Sequence, residues 1–392
     1  MTEKQSCADV ERPPGRSTKR GRVAVLWCDP NSPTVARGDE DHDYEGADEA
    51  DRVFIASLEE AGYAVTTHPV HLGNVDRVVD SLACDVVFNL CDGSGPGRDN
   101  QPGLETLAAL ERRGLPYTGA RAAAYQTSIS KIEMKRAFQA VGVPTPAWQL
   151  FERAGDVERE LRPELAGLAL FVKPHDAGGS AGVDLGSIIE AGDTPALIAR
   201  IERIVSEYGA ALVEEYVAGR EITVGLLGAG EKAKALPPLE VAFGEAFPEG
   251  KGIRTHATKW DVNSPLYNSF ELLCPAPMTL TQTRQVLRVA RRAYAAIDGA
   301  GYGRVDMRLD ARGPFVLEVN MNCSLEYGQS AAESAMFPFA AAAAGISFPT
   351  LLHRLIEDGR RMHRAVRVER APKAKTVRSI QEARSKGTKG KR

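Results

Sequence analysis

No apolar run in the 392-residue chain approaches the roughly 18 residues that a membrane-spanning helix requires. The Ala-rich stretch from Phe339 to Ile346 is far too short. The start, Met1 to Arg20, is charged, is broken by Pro13, Pro14 and Gly15, and lacks the apolar centre of a secretory signal. An unfolded leader and a cytoplasmic location are the expectations. The six cysteines (Cys7, Cys28, Cys84, Cys91, Cys274 and Cys323) contain no C-x-x-C pair, which argues against zinc and dithiol redox chemistry. They read as mostly buried thiols. The chain also lacks the phosphate-loop pattern G-x-x-x-x-G-K-[ST], the dinucleotide fingerprint G-x-G-x-x-G, and any evident internal repeat.

What is present is ordinary soluble composition, 43% hydrophobic and 26% charged, in a chain long enough for two or three domains. The net charge of −3 hides an asymmetry: Ala371 to Arg392 holds eight Lys and Arg against one Glu, a net +7, so the remainder carries −10. That basic tail has no interleaved aromatic residues to stack on bases, so it reads as a solvated, disordered end rather than a nucleic-acid contact.

Apolar runs and stop signals predict a β-α-β start, with strands at Val23–Cys28 and Ala64–Thr67 around a helix at Ala50–Leu58. A further strand, Asp85–Leu90, leads into the glycine-bearing loop Cys91–Gly103. Such alternation implies a parallel sheet with ligand-facing loops at its carboxyl end. Ser130–Val141 reads as a helix capped by Ser128 or Ser130, with Lys131 and Lys135 one turn apart. Strands are predicted at Leu168–Lys173, Ala211–Tyr216, Glu221–Leu227, Gly303–Leu309 and Pro314–Asn320, with helices near Ala196–Tyr208, Thr279–Ile297 and Phe348–Met362.

Three local patterns carry chemistry. A turn near Arg312-Gly313 would set Asp306 opposite Glu318 and Arg304 opposite Asn320. Strict alternation then groups Phe315, Leu317 and Val319 on one face against Val316, Glu318 and Asn320 on the other. Two carboxylates and an amide oxygen are hard donors that suit Mg²⁺. Second, Phe171-Val172-Lys173-Pro174 runs into Gly178-Gly179-Ser180-Ala181-Gly182, whose backbone N–H groups can approach phosphate oxygens beside the Lys173 charge. Third, Val213-Glu214-Glu215-Tyr216-Val217 precedes Gly219-Arg220-Glu221, which taken alone reads as a hairpin with charged edges. His42, His68, His71, His175 and His256 show no ligand spacing.

In this order, and with Asp85–Leu90, Pro116-Tyr117-Thr118-Gly119 and Cys274-Pro275-Ala276, the chain resembles the ATP-grasp superfamily, in particular the D-alanine:D-alanine ligase-like enzymes, over about Val23 to Gly359. The resemblance implies an α/β and α+β architecture: an ATP-grasp fold behind an N-terminal parallel α/β domain. The expected division is a tail at 1–20, an N-terminal substrate domain at 21–120, a central subdomain at 121–220, a metal-bearing C-terminal subdomain at 221–365, and the basic tail at 366–392.

By that likeness Lys131 and Lys173 hold ATP phosphates, and the loop Gly178, Gly179, Ser180, Gly182 closes over the γ-phosphate. Glu214 faces the adenine amino group, and the backbone of Glu215, Tyr216 and Val217 completes adenine recognition. Glu221 takes the ribose hydroxyls, and Lys259 reaches the phosphates from a loop. Asp306, Glu318 and Asn320 hold Mg²⁺, with Mn²⁺ as the substitute. Arg304 stabilises the tetrahedral intermediate or a substrate carboxylate.

The implied reaction joins a carboxylate to an amine through an acyl phosphate, releasing ADP and phosphate. The implied partners are small amino-acid-like substrates, and a homodimer is expected by likeness alone. The family's substrate-orienting Glu-Ser-Tyr positions fall on Asp43, Gly179 and Trp260, and the nearest serine after Asn320, Ser330, is one residue out of step. Those departures imply an acceptor other than D-alanine. D-alanine:D-alanine ligation itself and a non-catalytic ATP-binding module are the alternatives.

Overall fold

A computed structural model of the chain describes residues 20–29, 45–95, 99–267, 269–328 and 334–370. The leader up to residue 19, Asp43, Ser330 and the tail from 371 lie outside them.

The chain opens with β1 (Arg22–Cys28), α1 (Glu45–Glu60), β2 (Ala64–Val70), α2 (Val75–Ser81) and β3 (Val86–Asn89). The three strands form an all-parallel sheet in the order β2-β1-β3. Val23 to Leu26 in β1 and Val86 to Phe88 in β3 are apolar without interruption because both faces are covered. Ala24, Leu26 and Val87 face one core, while Val23, Val25, Val86 and Phe88 face another. Next come α3 (Leu104–Arg113), α4 (Ala122–Ser128) and α5 (Lys131–Ala140). Ser130 caps α5 by accepting from the Glu133 N–H at 3.3 Å, and Ser128 belongs instead to the end of α4.

A four-stranded antiparallel sheet, ordered β4-β7-β5-β6, is built from β4 (Trp148–Phe151), a short α6 (Val157–Glu160), β5 (Leu170–Pro174), β6 (Ile188–Ile189), α7 (Thr194–Tyr208) and β7 (Ala211–Glu215). Leu170, Val172, Ala211 and Val213 pack on α7. Alternation therefore turns Phe171, Lys173 and Glu214 to the opposite side, toward α5.

The third sheet contains β8 (Arg220–Leu227), β9 (Lys234–Ala235), β10 (Leu239–Phe243), β11 (Phe270–Leu273), β12 (Tyr302–Asp310) and β13 (Gly313–Met321), with α8 (His256–Trp260) and α9 (Leu280–Ala296) between strands. β7 and β8 lie in different sheets, so the segment around Gly219 is a crossing between layers and not the hairpin its local pattern suggests. Gly219 is required there: a Cβ would sit 2.3 Å from the Leu309 carbonyl oxygen.

Two helices, α10 (Met336–Ala343) and α11 (Phe348–Arg370), cover the first sheet. α11 runs eight residues beyond the predicted Met362 because no helix breaker follows Gly359 until Pro372. Residues 366–370, expected to be tail, are thus helical. Among the described residues no single helix is long and apolar enough to cross a membrane. The cysteine reading needs correction: of the five described cysteines, Cys91 and Cys323 are buried, whereas Cys28, Cys84 and Cys274 are half-buried, and none of these five forms a disulfide; Cys7 lies outside the described residues.

Candidate active site

The four-stranded and six-stranded sheets face each other across a cleft of about 1580 Å³, larger than the roughly 300–1,000 Å³ typical of a single small-ligand pocket. The expected site residues Lys131, Lys173, Gly178, Gly179, Ser180, Glu214, Glu215, Tyr216, Val217, Glu221, Lys259, Arg304, Asp306, Glu318 and Asn320 all line it. Gly182 belongs to the same glycine loop and is packed against Pro174 and Tyr208, where a Cβ would come within 2.7 Å.

On the six-stranded side, Asp306 does stand opposite Glu318, and Arg304 opposite Asn320. The route to that pairing differs from simple alternation. The turn pairs Asp310 with Gly313, and an unbroken ladder from it would set Asp306 against Leu317. A bulge between Met307 and Asp306 absorbs the extra residue. Val316 and Val319 therefore both enter the core, while Leu317, Glu318 and Asn320 line the cleft. This corrects the predicted grouping of Glu318 with Val316.

Arg304 grips Asp306 with two bonds, Nε to Oδ1 at 2.8 Å and Nη2 to Oδ2 at 2.9 Å, and the Thr223 hydroxyl adds a third at 2.5 Å. Burial pushes the Asp306 carboxyl up, but Arg304 outweighs it and the net shift is downward. Burial likewise opposes ionisation of Glu318, and Lys131 across the cleft reverses this. Both acids are therefore charged at neutral pH.

Asn320 Nδ2 donates to Asp306 Oδ2 at 2.8 Å and to Glu318 Oε1 at 3.1 Å; a half-turn of the amide would bring Oδ1 to the same point. Among the described residues no group of three His, Cys, Asp or Glu could hold a metal. The donors here are two carboxylates and an amide, which fits a hard cation that completes its shell with phosphate oxygens and water.

On the opposite side, the Glu214 carboxylate does not point freely into the cleft. Lys135 Nζ lies 2.7 Å from Oε2 and Lys173 Nζ 2.5 Å from Oε1, all three side chains being buried or nearly so. Burial raises the Glu214 pKa, and the two lysines more than reverse this, holding it down to about 2. Lys135 is a residue the sequence reading did not place in the site; its spacing of four from Lys131 on α5 was the available signal. Lys131 Nζ donates to the Ala177 carbonyl at 2.5 Å, at the root of the glycine loop.

The crossing segment is braced by Arg308, also unforeseen. Its guanidinium donates to the Val217 carbonyl at 3.1 Å and the Gly252 carbonyl at 2.9 Å, and lies 3.5 Å from Glu221 Oε2. Burial keeps the Glu221 carboxyl above its ordinary range.

The glycine loop is tied to the segment around α8. Gly179 and Ser180 are both left-handed, at φ of 60° and 65°, an uncommon conformation for serine. Ser180 Oγ donates to the Arg254 carbonyl at 2.9 Å, and His256 N–H to the Val183 carbonyl at 3.0 Å. Trp260 Nε1 donates to the Gly179 carbonyl at 2.9 Å. The two positions that had lost their hydroxyl partners are thus linked by a different hydrogen bond. In the same segment Lys259 has its pKa lowered to about 7, first by burial and then by the charges of Arg254 and Arg304.

A third unforeseen group is Asp92, in the loop after β3. Burial, with Asp99 and Glu326 nearby, pushes its pKa up to about 6. Asp99 itself shapes that loop by accepting the Ser94 and Gln101 N–H groups at 2.7 and 3.0 Å.

Residues 137–357 match the family model described as the D-ala D-ala ligase C-terminus. The chain belongs to this ligase family. It is 35% identical over 251 residues to the D-alanine–D-alanine ligase of Bordetella pertussis, covering 64% of this chain and 72% of that protein. To the ligase of the same name from Chromohalobacter salexigens it is 33% identical over 280 residues, covering 71% and 79%. The fold matches the solved D-alanine–D-alanine ligase of Bacillus anthracis complexed with ATP, with a TM-score of 0.64 at 20% identity over 88% of this chain and 99% of that one. A ligase structure from Coxiella burnetii gives 0.63 at 17% identity, covering 94% and 99%. The architecture is the ATP-grasp fold, and the chain is an ATP-dependent carbon–nitrogen ligase of the D-alanine–D-alanine ligase type.

Proposed function

We propose that this ligase activates the carboxylate of one amino acid as an acyl phosphate and joins it to the amine of a second, with release of ADP and phosphate. The observation that carries the reading is the facing of two charge sets across one cleft: Lys131 and Lys173 beside a glycine loop, and the Asp306–Glu318 pair opposite. Phosphoryl transfer demands positioning and neutralisation of negative charge and needs no nucleophilic side chain.

In this reading Lys131, Lys173 and Lys259 meet phosphate oxygens, and the loop Gly178–Gly182 covers the γ-phosphate. Adenine lies along the backbone of Glu215–Val217, and Glu221 receives the ribose. Glu214, fully engaged by lysines, serves to hold Lys173 and Lys135 charged and in place. Asp306, Glu318 and Asn320 would hold Mg²⁺, or Mn²⁺ in its stead; the cation, when bound, would neutralise triphosphate charge. Arg304, fixed by Asp306, borders the position where the acyl group reacts.

D-alanine as both substrates is supported by the names of the relatives and by the Trp260–Gly179 bond, which offsets the lost hydroxyls from which a different acceptor was expected. A second reading, an acceptor other than D-alanine, draws on Asp92, Asp99 and Glu326, which give the substrate end of the cleft a negative wall. ADP release should follow addition of Mg²⁺·ATP and D-alanine, with D-alanyl-D-alanine identified by mass spectrometry. ADP release that requires another amine, with no such dipeptide, would select the second reading. No amino-acid-dependent ADP release from any amino acid or amine would overturn both.

A further inference from the structure

Three guanidinium groups line the cleft: Arg254, Arg304 and Arg308. Two are satisfied by the protein. Arg304 is spent on Asp306, and Arg308 on the carbonyls of Val217 and Gly252. Arg254 is different. Its Nη1 reaches only the Met336 sulfur at 3.5 Å, its face lies 6.0 Å from the Phe270 ring centre, and its Nε is buried with no hydrogen-bond partner. No carboxylate of the described residues comes within ion-pair distance of it.

A half-buried guanidinium whose Nε is enclosed loses part of its hydration without recovering it from the protein, a cost that an anion entering the cleft would remove. Its charged surroundings indicate which anion. Arg254 feels Arg304, Glu221, Asp306 and Glu318, and of the charges acting on Lys259 it has the largest effect. It lines the same cleft as the carboxylate assigned to ribose and the pair assigned to the cation, next to the glycine loop assigned to the γ-phosphate. Its backbone is fixed there as well: the Arg254 carbonyl accepts from Ser180 Oγ, which ties the glycine loop to the segment that carries this side chain.

We infer that Arg254 is a further catalytic residue of the reaction, its guanidinium taking an oxygen of the γ-phosphoryl group as that group passes from ATP to the substrate carboxylate. The inference rests on the ligase reading above. It requires no new covalent step; the guanidinium adds charge where three oxygens of the transferring group carry it.

The test is calorimetric binding of Mg²⁺ with the β,γ-imido analogue of ATP, and separately with ADP, to the wild-type chain and to Arg254→Met and Arg254→Lys. One charge-assisted bond corresponds to about a tenfold to hundredfold change in affinity. Arg254→Met should weaken the triphosphate by at least about tenfold while leaving ADP nearly unchanged, and Arg254→Lys should restore part of the difference.

Equal weakening of both nucleotides would overturn the inference in favour of a structural or ribose-side role. Unchanged affinities with a raised KM for the amino acid would overturn it in favour of a substrate carboxylate. A wild-type chain that binds neither nucleotide would sink the ligase reading itself, an outcome distinct from the other two. Arg254→Gln carries the same comparison where Arg254→Met does not fold.

Discussion

Glu214 is 2% exposed and sits between two ammonium groups, so its charge is set by burial working against Lys135 and Lys173, with the lysines winning. Its folded pKa of about 2 lies below the ordinary 4.5. Such a group contributes stability that is fully present above about pH 4.5 and is lost as pH falls toward about 2. Glu214→Gln should lower the free energy of unfolding at pH 7 by about 3–5 kcal/mol, because two buried lysines lose their counter-charge. Denaturant titrations of both chains from pH 7 to pH 3 check this: the gap between them should narrow in acid. Lys259 behaves in the opposite sense. Its pKa of about 7 means that near pH 8 most of the free protein holds it neutral, and a triphosphate would draw a proton onto it. Nucleotide binding at pH 8 should take up a fraction of a proton and at pH 6 almost none, measured by calorimetry in buffers of different ionisation enthalpy. Uptake that persists in Lys259→Met would assign the proton elsewhere.

The legibility of the elements follows from how local their causes are. Strand β1 was readable because a parallel strand buried on both faces must be a continuous apolar run, and α5 because Ser130 and Gly142 mark its ends in the sequence itself. The cross-strand meeting of Asp306 and Glu318 was readable from spacing, but the bulge that delivers it was not, because strict alternation contains no sign that Leu317 is the extra residue. The passage from β7 to β8 was misread as a hairpin for a related reason. A turn pattern shows where the chain bends, whereas which sheet each arm joins depends on partners such as Trp148 and Val305, far away in sequence. Arg254 and Arg308 became visible only once those partners were in place, whereas Lys135 had a local signal in its spacing from Lys131. The bond between Trp260 and Gly179 lies at this scale too, since it ties one loop to another. Trp260→Phe keeps the ring and removes the donor. It should raise KM for ATP by about twofold to tenfold, the range of one neutral hydrogen bond, with the melting temperature nearly unchanged. An unaltered KM would show that the other two ties, from Ser180 and His256, hold the loop alone.

Across the whole molecule, the loop after β3 brings Asp92 and Asp99 to the cleft, the four-stranded sheet brings Lys173 and Glu214, and the six-stranded sheet brings Arg304, Asp306 and Glu318. Lys131 and Lys173 come from α5 and β5, whereas Asp306 and Glu318 come from β12 and β13. The contact between layers is close: a Cβ on Gly119, at φ of 92°, would lie 2.2 Å from Asn322 Oδ1, the atom that also accepts the Ala120 N–H at 2.7 Å. That junction locks the loop before α4 to the residue that follows β13, two positions beyond Asn320, so this loop and the Asp306–Glu318 pair share one frame. The central claim is that Lys131 and Lys173 on one side, and Asp306 and Glu318 on the other, surround one triphosphate and one divalent ion. Crystals grown with Mn²⁺ and the β,γ-imido analogue of ATP test it most directly, through the anomalous signal of manganese. A manganese peak bonded to Asp306, Glu318 and a phosphate oxygen is expected, with Lys131 and Lys173 on the same triphosphate. Manganese elsewhere, or a nucleotide bound away from this pair of acids, would contradict it.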